Sequence, residues 1–340
     1  MPLMHSFFLF FFIYLIGDYM YLYTGGKTGG HIMPLIRLIK ESDAEAIYVG
    51  QKGNLEEKLC KSNDILFLGI EHNKNKILMG LKGYRYLLGE LKNKRIDAII
   101  STGGYVSLAC ILFGIKNKIP LFLIEENVVL GAVNKFFYPF CKKVFLAFEL
   151  EKNKNKMLLT GLPIREYIKR PVYNKYDILV IGGSLGSKPL CLIADELSKK
   201  YKVCLVAGRY YKDFKNNSNL DVLEYTEDIY SYMAGSKIII ARAGASTAQE
   251  IFMMNKPFIC IPSMKTKGNH QYHNAKFLSE KKACFLVLEN QAAGDIDRLI
   301  NNILLNPQIS INMSDSQNKL YKSNAAKKIL TEIEETINGI

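Results

Sequence analysis

The chain repeats one local grammar: a short apolar run, a turn of glycine and small polar residues, then a segment whose apolar positions recur every three to four residues. The first instance runs from 19–23 through Thr24-Gly25-Gly26-Lys27-Thr28-Gly29-Gly30-His31 into an apolar helical pattern over 32–39. The second runs from 176–181 through Gly182-Gly183-Ser184-Leu185-Gly186 into a helical pattern over 189–199. Short apolar runs bounded by turn residues read as strands, and a period near 3.6 reads as a helix. Further strands are expected at 46–49, 65–68, 98–101, 121–124 and 144–147, then at 203–207, 222–225, 238–241, 258–261 and 284–288. Helical patterns lie between most of them. That alternation predicts parallel sheets with helices on both faces, hence an α/β chain of two doubly wound domains.

A chain of 340 residues exceeds what one hydrophobic core organises. A Lys/Asn-rich stretch before Gly161-Leu162-Pro163 marks the boundary, giving an N-terminal domain over 19–160 and a C-terminal domain over 161–316. The last helical pattern, within 317–340, is expected to pack back on the first domain. Residues 1–18 read as an apolar N-terminal extension: the run 7–16 is too short to span a bilayer, no basic residue precedes it, and no small-residue cleavage site follows. An upstream start or a membrane-surface anchor fits that segment better than a secretory signal.

The net charge of +13 changes the picture of partners, because lysine attracts phosphorylated substrates and anionic membrane surfaces. The lysines are dispersed and form no compact basic helix, so no nucleic-acid partner is expected. Seven cysteines without a CxxC pair or a nearby histidine read as small buried hydrophobes in a reducing compartment.

Ligands of open parallel sheets bind beyond the carboxyl ends of the strands, so two such domains place the chemistry on turns facing a shared cleft. The first turn lacks the GxGxxG spacing, and no acidic residue ends the next strand near position 50, which disfavours a dehydrogenase. No GxxxxGK[ST] loop is present, which removes the P-loop hydrolases. What remains is glycine turns at helix starts, which offer free N–H groups to a phosphate.

His31 follows two glycines at a helix start, where an imidazole could take a proton from a sugar hydroxyl or simply order the loop. In Ala241-Arg242-Ala243-Gly244-Ala245-Ser246-Thr247-Ala248-Gln249-Glu250, the small residues suit a diphosphate and Glu250 suits a ribose diol, though an ordinary capped helix is the plainer reading. The amides and imidazoles of Gly268-Asn269-His270-Gln271-Tyr272-His273-Asn274 can donate to and accept from sugar hydroxyls. Arg165 at the domain junction could pair with phosphate or form a surface salt bridge. Gly103-Gly104-Tyr105 and Glu125-Glu126-Asn127 are strand-end turns on the opposite, acceptor side.

Taken in order, these pieces resemble the MurG family. The matching residues are Thr28 to His31, Thr102-Gly103-Gly104-Tyr105-Val106-Ser107, Glu125 with Asn127 and 131–135, 161–165, 182–186, 242–250 and 270–275. The resemblance implies a GT-B fold, two Rossmann-like domains facing across a cleft, and transfer of N-acetylglucosamine from UDP-N-acetylglucosamine to the muramyl 4-hydroxyl of undecaprenyl-pyrophosphoryl-MurNAc-pentapeptide (lipid I), with inversion. It implies His31 as the base and Glu125 as a second catalytic candidate. Thr28, Gly29, Gly30 and Asn127 would meet the sugar and acceptor; Arg165, Ser184, Ala245, Ser246, Thr247 and Glu250 the diphosphate and ribose; Thr226 the uracil; Gln271 the N-acetylglucosamine. No metal or cofactor need be invoked, and the enzyme would sit peripherally on the cytoplasmic side of the plasma membrane. Two residues depart from the family pattern: Lys27 stands where the first loop usually has glycine, and Ile124 where histidine usually precedes Glu-x-Asn. Another lipid glycosyltransferase of the same fold, a nucleotide-sugar epimerase and a non-catalytic scaffold of the cell-wall complex are the alternatives.

Overall fold

The computed structural model describes residues 19–26, 29–150, 155–167, 175–183, 185–290 and 293–339. The first sheet is seven-stranded and the second six-stranded, with every paired strand parallel. The first comprises β1 Met20–Thr24, β2 Glu45–Gln51, β3 Leu66–Ile70, β4 Ala98–Ser101, β5 Leu121–Glu125, β6 Lys143–Leu146 and β7 Met157–Leu159, in the order β3-β2-β1-β4-β5-β6-β7. Its helices are α1 Gly29–Glu41, α2 Leu55–Ser62, α3 Lys76–Glu90, α4 Ser107–Lys116 and α5 Ala132–Phe137. The second sheet comprises β8 Tyr176–Ile181, β9 Val203–Val206, β10 Leu220–Leu223, β11 Ser236–Ala241, β12 Phe258–Cys260 and β13 Phe285–Leu286, ordered β10-β9-β8-β11-β12-β13. Its helices are α6 Lys188–Leu197, α7 Ile229–Ala234, α8 Ala245–Met254, α9 His270–Glu280, α10 Ala293–Leu305 and α11 Pro307–Leu320, and α12 Ala325–Asn338 follows.

Period-two burial builds both layers. On β1, Tyr21 and Tyr23 join the core that also holds Ile329 and Ile333 of α12, while Leu22 joins the opposite core with Met79 and Cys110. On β8, Leu179 and Ile181 face the first of these cores and Ile178 and Val180 a third. Strands whose two faces are both covered must be apolar throughout, which is why the sequence shows runs and not alternation. One core is continuous between the domains, with the Phe148 and Phe277 rings 6.0 Å apart.

In each sheet the strand order reverses beside the opening strand, β1 or β8, and the glycine turns leave there. A Cβ on Gly25 would lie 2.0 Å from Thr102 Oγ1, so the first turn can pass this close only as glycine. Gly186 has φ +71° and would meet the Ala207 carbonyl at 2.3 Å, which ties the second turn to the end of β9.

Several sequence expectations change. The strand β7 arises inside the Lys/Asn-rich stretch and adds a seventh strand, because Met157-Leu158-Leu159 pairs with β6 despite its polar flanks. The expected strand at 284–288 shrinks to the two residues of β13. The last helical pattern splits at 321–324, where Asn324 adopts a left-handed φ of 56° and starts α12. That helix lies on the first domain: Lys143 pairs with Glu332 at 2.5 Å and the Tyr19 hydroxyl donates to Asn338 at 2.7 Å.

Candidate active site

His31 occupies the first turn of α1, and Thr102 Oγ1 fixes its backbone carbonyl from the end of β4 at 2.9 Å. Its Nδ1 faces Glu126 Oε1 at 3.3 Å, and neither atom has a hydrogen-bond partner. The Glu126 carboxylate holds the His31 pKa up at about 9, against burial, which pulls it down; Glu125 adds to the rise. His270, at the start of α9 in the other domain, feels His31 as a neighbouring charge, and its pKa is lowered by burial and by His31 and His273. The two domains therefore meet at this imidazole.

Glu125, the second catalytic candidate from the family resemblance, is held by four hydrogen bonds. Its two oxygens accept from the Asn127 N–H at 3.0 Å, Asn127 Nδ2 at 3.2 Å, the Gly131 N–H at 2.8 Å and Asn134 Nδ2 at 2.9 Å. Burial pushes its pKa up, opposed by these bonds. A buried carboxylate so fully engaged orders the 125–134 loop and has no oxygen left for a substrate. Ile124, at the position of the missing histidine, is fully buried in the core, and Glu126 brings an ionisable group to His31 instead.

Asn127 reaches across the cleft. Its Oδ1 accepts from Asn274 Nδ2 at 3.1 Å, and Asn274 also accepts from the Val128 N–H at 3.0 Å and donates to the Ala243 carbonyl at 3.1 Å. Gln271, one turn earlier on α9, accepts from the Ser263 N–H through Oε1 at 2.8 Å. Gly29 and Gly30 begin α1, next to His31. Thr28, Ser184 and Lys27 lie outside the described residues.

The start of α8 follows Gly244 without a side-chain cap, so the N–H groups of Ala245, Ser246 and Thr247 are open to an anion. Ser246 Oγ is buried without a partner. One turn on, the Glu250 pKa is raised to about 7 by burial, with a hydrogen bond from Tyr230 acting the other way. The Tyr230 hydroxyl donates to the Arg165 carbonyl at 2.8 Å and lies 3.5 Å from Glu250 Oε1. Arg165 is exposed, with Nη1 3.4 Å from the Glu227 carbonyl, and Thr226 Oγ1 accepts from the Asp228 N–H at 3.1 Å in the same loop. Arg165, Thr226 and Glu250 are thus linked through Glu227 and Tyr230 in the second domain, while His31 and Asn127 lie on either side of Glu126 in the first.

Arg242 braces this surface from below. It donates to the Ile261 carbonyl at 2.9 Å and to Ser187 Oγ at 2.5 Å, and it pairs with Glu289. Glu126, Asn274 and Arg242 each lie in a stretch that the sequence marks as a candidate, but the sequence gives none of them an individual role. The signal was present in Glu126, an ionisable residue beside a motif turn, but its partner lies 95 positions away.

Family models match both halves: the glycosyltransferase family 28 N-terminal domain over residues 20–146 and its C-terminal domain over residues 177–332. A protein of Caldicellulosiruptor saccharolyticus is 30% identical over 366 aligned positions, covering 95% of this chain and 99% of its own, and is named UDP-N-acetylglucosamine--N-acetylmuramyl-(pentapeptide) pyrophosphoryl-undecaprenol N-acetylglucosamine transferase. A Bacillus subtilis protein of the same name is 28% identical and covers 92% of this chain and 98% of its own. The crystal structure of Acinetobacter baumannii MurG superposes with a TM-score of 0.75 at 23% identity, over 94% of this chain and 100% of that one. A putative UDP-N-acetylglucosamine 2-epimerase from Listeria monocytogenes reaches 0.70 at 11% identity, over 95% and 98%, so the GT-B fold alone does not separate transferase from epimerase. Sequence likeness over both domains does separate them, and the chain belongs to the MurG family of family 28 glycosyltransferases.

Proposed function

We propose that this N-acetylglucosaminyltransferase of peptidoglycan synthesis uses His31 as its general base. The muramyl 4-hydroxyl of the undecaprenyl-pyrophosphoryl acceptor gives its proton to His31 as its oxygen bonds to the anomeric carbon of UDP-N-acetylglucosamine. The bond from that carbon to the phosphate oxygen breaks, UDP leaves with the electron pair, and the configuration inverts. The observation that carries this reading is the His31 imidazole, about a third exposed at the meeting of the two domains, while its Glu126 partner is buried. The open N–H groups of 245–247, with Arg165 and Ser184, would stabilise charge growing on the diphosphate. Glu250 would accept the ribose hydroxyls, Thr226 would lie near uracil, and Gln271 would hold the sugar. Thr28, Gly29, Gly30 and Asn127 would face the sugar and acceptor from the first domain.

The lipid acceptor has a matching surface. Helix α3 exposes Ile77 (69%), Leu78 and Leu81, flanked by exposed Lys74, Lys82 and Arg85. Lys76 sits over the Tyr105 ring at 5.9 Å, so the start of α3 borders the strand-end turn that opens on the cleft. An apolar helix face rimmed by cations suits an anionic leaflet. Among the described residues no helix is long and apolar enough to cross a membrane. Peripheral attachment through α3, on the cytoplasmic side, would bring the acceptor head group to His31.

The base assignment is tested by His31→Ala: turnover falls by at least about a hundredfold while UDP-N-acetylglucosamine binding stays within about threefold, a general base being worth roughly 10²–10⁴. Retained turnover would reject His31 as the base.

A further inference from the structure

The base reading explains why an imidazole stands at this turn and leaves unexplained why a buried carboxylate faces its inner nitrogen. Glu126 Oε1 lies 3.3 Å from His31 Nδ1, and neither atom has any hydrogen-bond partner. The Glu126 side chain is 7% exposed and that of His31 31%, so the pair is dry on the carboxylate side and open on the imidazole side. Both ends are held independently. Thr102 Oγ1 fixes the His31 carbonyl, and the four hydrogen bonds to Glu125 fix the turn that carries Glu126. A carboxylate in this position selects the tautomer with the proton on Nδ1 and leaves Nε2 as the lone-pair nitrogen.

We infer that Glu126 is the positioning carboxylate of the transfer, orienting His31 through Nδ1–H and stabilising the imidazolium that forms when Nε2 takes the acceptor proton. This rests on His31 being the base. In the step, the O4–H bond of the acceptor breaks and its proton goes to Nε2, O4 bonds to the anomeric carbon, and UDP departs with the electrons of the broken bond between that carbon and the phosphate oxygen. The imidazolium then carries both ring protons, one of them against Glu126. Three other charged or titratable residues bear on the pair. Glu125 adds a negative field from the same turn, His270 faces it from α9, and the buried Tyr48 hydroxyl, which donates to the Gly25 carbonyl, feels Glu126 as a neighbouring charge. Among the described carboxylates, only Glu126 is in ion-pair range of the imidazole.

The experiment is the pH profile of kcat/KM for wild type, Glu126→Gln and Glu126→Asp, with UDP-N-acetylglucosamine binding measured alongside. The expected wild-type profile rises to a plateau with its acid limb near pH 9, where His31 loses its proton. Glu126→Gln moves that limb down by one unit or more and lowers the plateau at least tenfold, with donor binding within twofold. Glu126→Asp restores part of both changes. A Glu126→Gln profile that superimposes on the wild type overturns the inference, whereas an active His31→Ala variant overturns the base assignment beneath it. Histidine nitrogen NMR on the wild-type protein provides a measurement that needs no variant. It should show His31 titrating near pH 9 and, above that, Nδ1 protonated; an ordinary midpoint of 6.5 overturns the inference.

Discussion

At the scale of single residues, the site is a set of polar groups held in unfavourable surroundings for the benefit of a ligand. Glu250 is the clearest case. Burial raises its pKa to about 7, which leaves its carboxyl partly protonated near neutral pH. A ribose diol that donates to both oxygens favours the charged form, so bound ligand must lower this pKa. Affinity for UDP-N-acetylglucosamine should therefore rise as pH climbs from 6 to 8, and Glu250→Gln should abolish that dependence. Isothermal calorimetry at several pH values tests this; a slope surviving in the variant would place the titration elsewhere. Folding linkage has the same sign for the two titratable groups, because both folded pKa values lie above the unfolded ones and stability falls as pH rises. Glu250, with its folded pKa raised, costs stability above its unfolded value near 4.5, an effect complete above about pH 7. His31 contributes stability below its unfolded value of 6.5 and loses it as pH rises through about 9. Residue types at turns were readable from sequence: His31, Glu250 and Gln271 announced themselves by chemistry and position. Their partners were not: Glu126 and Tyr230 reach His31 and Glu250 through sheet topology, and Ser263 meets Gln271 through the fold of the loop before α9.

At the scale of elements, the strand-turn-helix units were legible because fully covered parallel strands leave continuous apolar runs, and because glycine is needed where Gly25 and Gly186 pass close to neighbouring chain. Boundaries were less legible where the sequence is polar. Strand β7 lies next to a lysine-rich stretch, and the break before α12 depends on one left-handed asparagine that interrupts an otherwise helical pattern. The role of α3 was invisible, since an exposed apolar face looks like a core face until the packing shows which side Gly80 and Gly83 present to α4. If that face docks on a leaflet, Ile77→Glu with Leu81→Glu should cut cosedimentation with anionic vesicles at least fivefold. Turnover of a water-soluble acceptor analogue should be unchanged. Equal vesicle binding by variant and wild type would refute the assignment.

At the scale of the whole molecule, Asn274 makes two hydrogen bonds across the cleft, with Asn127 and Val128, and is held in its own domain by a third to Ala243. Gln249 adds a bond to the Ala147 carbonyl at 3.3 Å. Removing the Asn274 amide leaves partly buried groups unpaired, each costing about 1–3 kcal/mol. Asn274→Ala should lower Tm by several degrees, enlarge the radius of gyration seen by small-angle scattering, and raise KM for the donor severalfold. Unchanged scattering and KM would show that the closure does not depend on this residue. Two-domain architecture and family were both legible from the ordered motifs, because each motif sits where a strand ends. How the domains meet was not, since it depends on residues 102 to 147 positions apart. The most direct test of the account is transfer of labelled N-acetylglucosamine from its UDP donor to undecaprenyl-pyrophosphoryl-N-acetylmuramyl-pentapeptide, with and without a chelator. The account predicts one disaccharide-linked lipid product of inverted anomeric configuration, formed equally in both conditions; no product, while UDP-N-acetylglucosamine still binds, would contradict it.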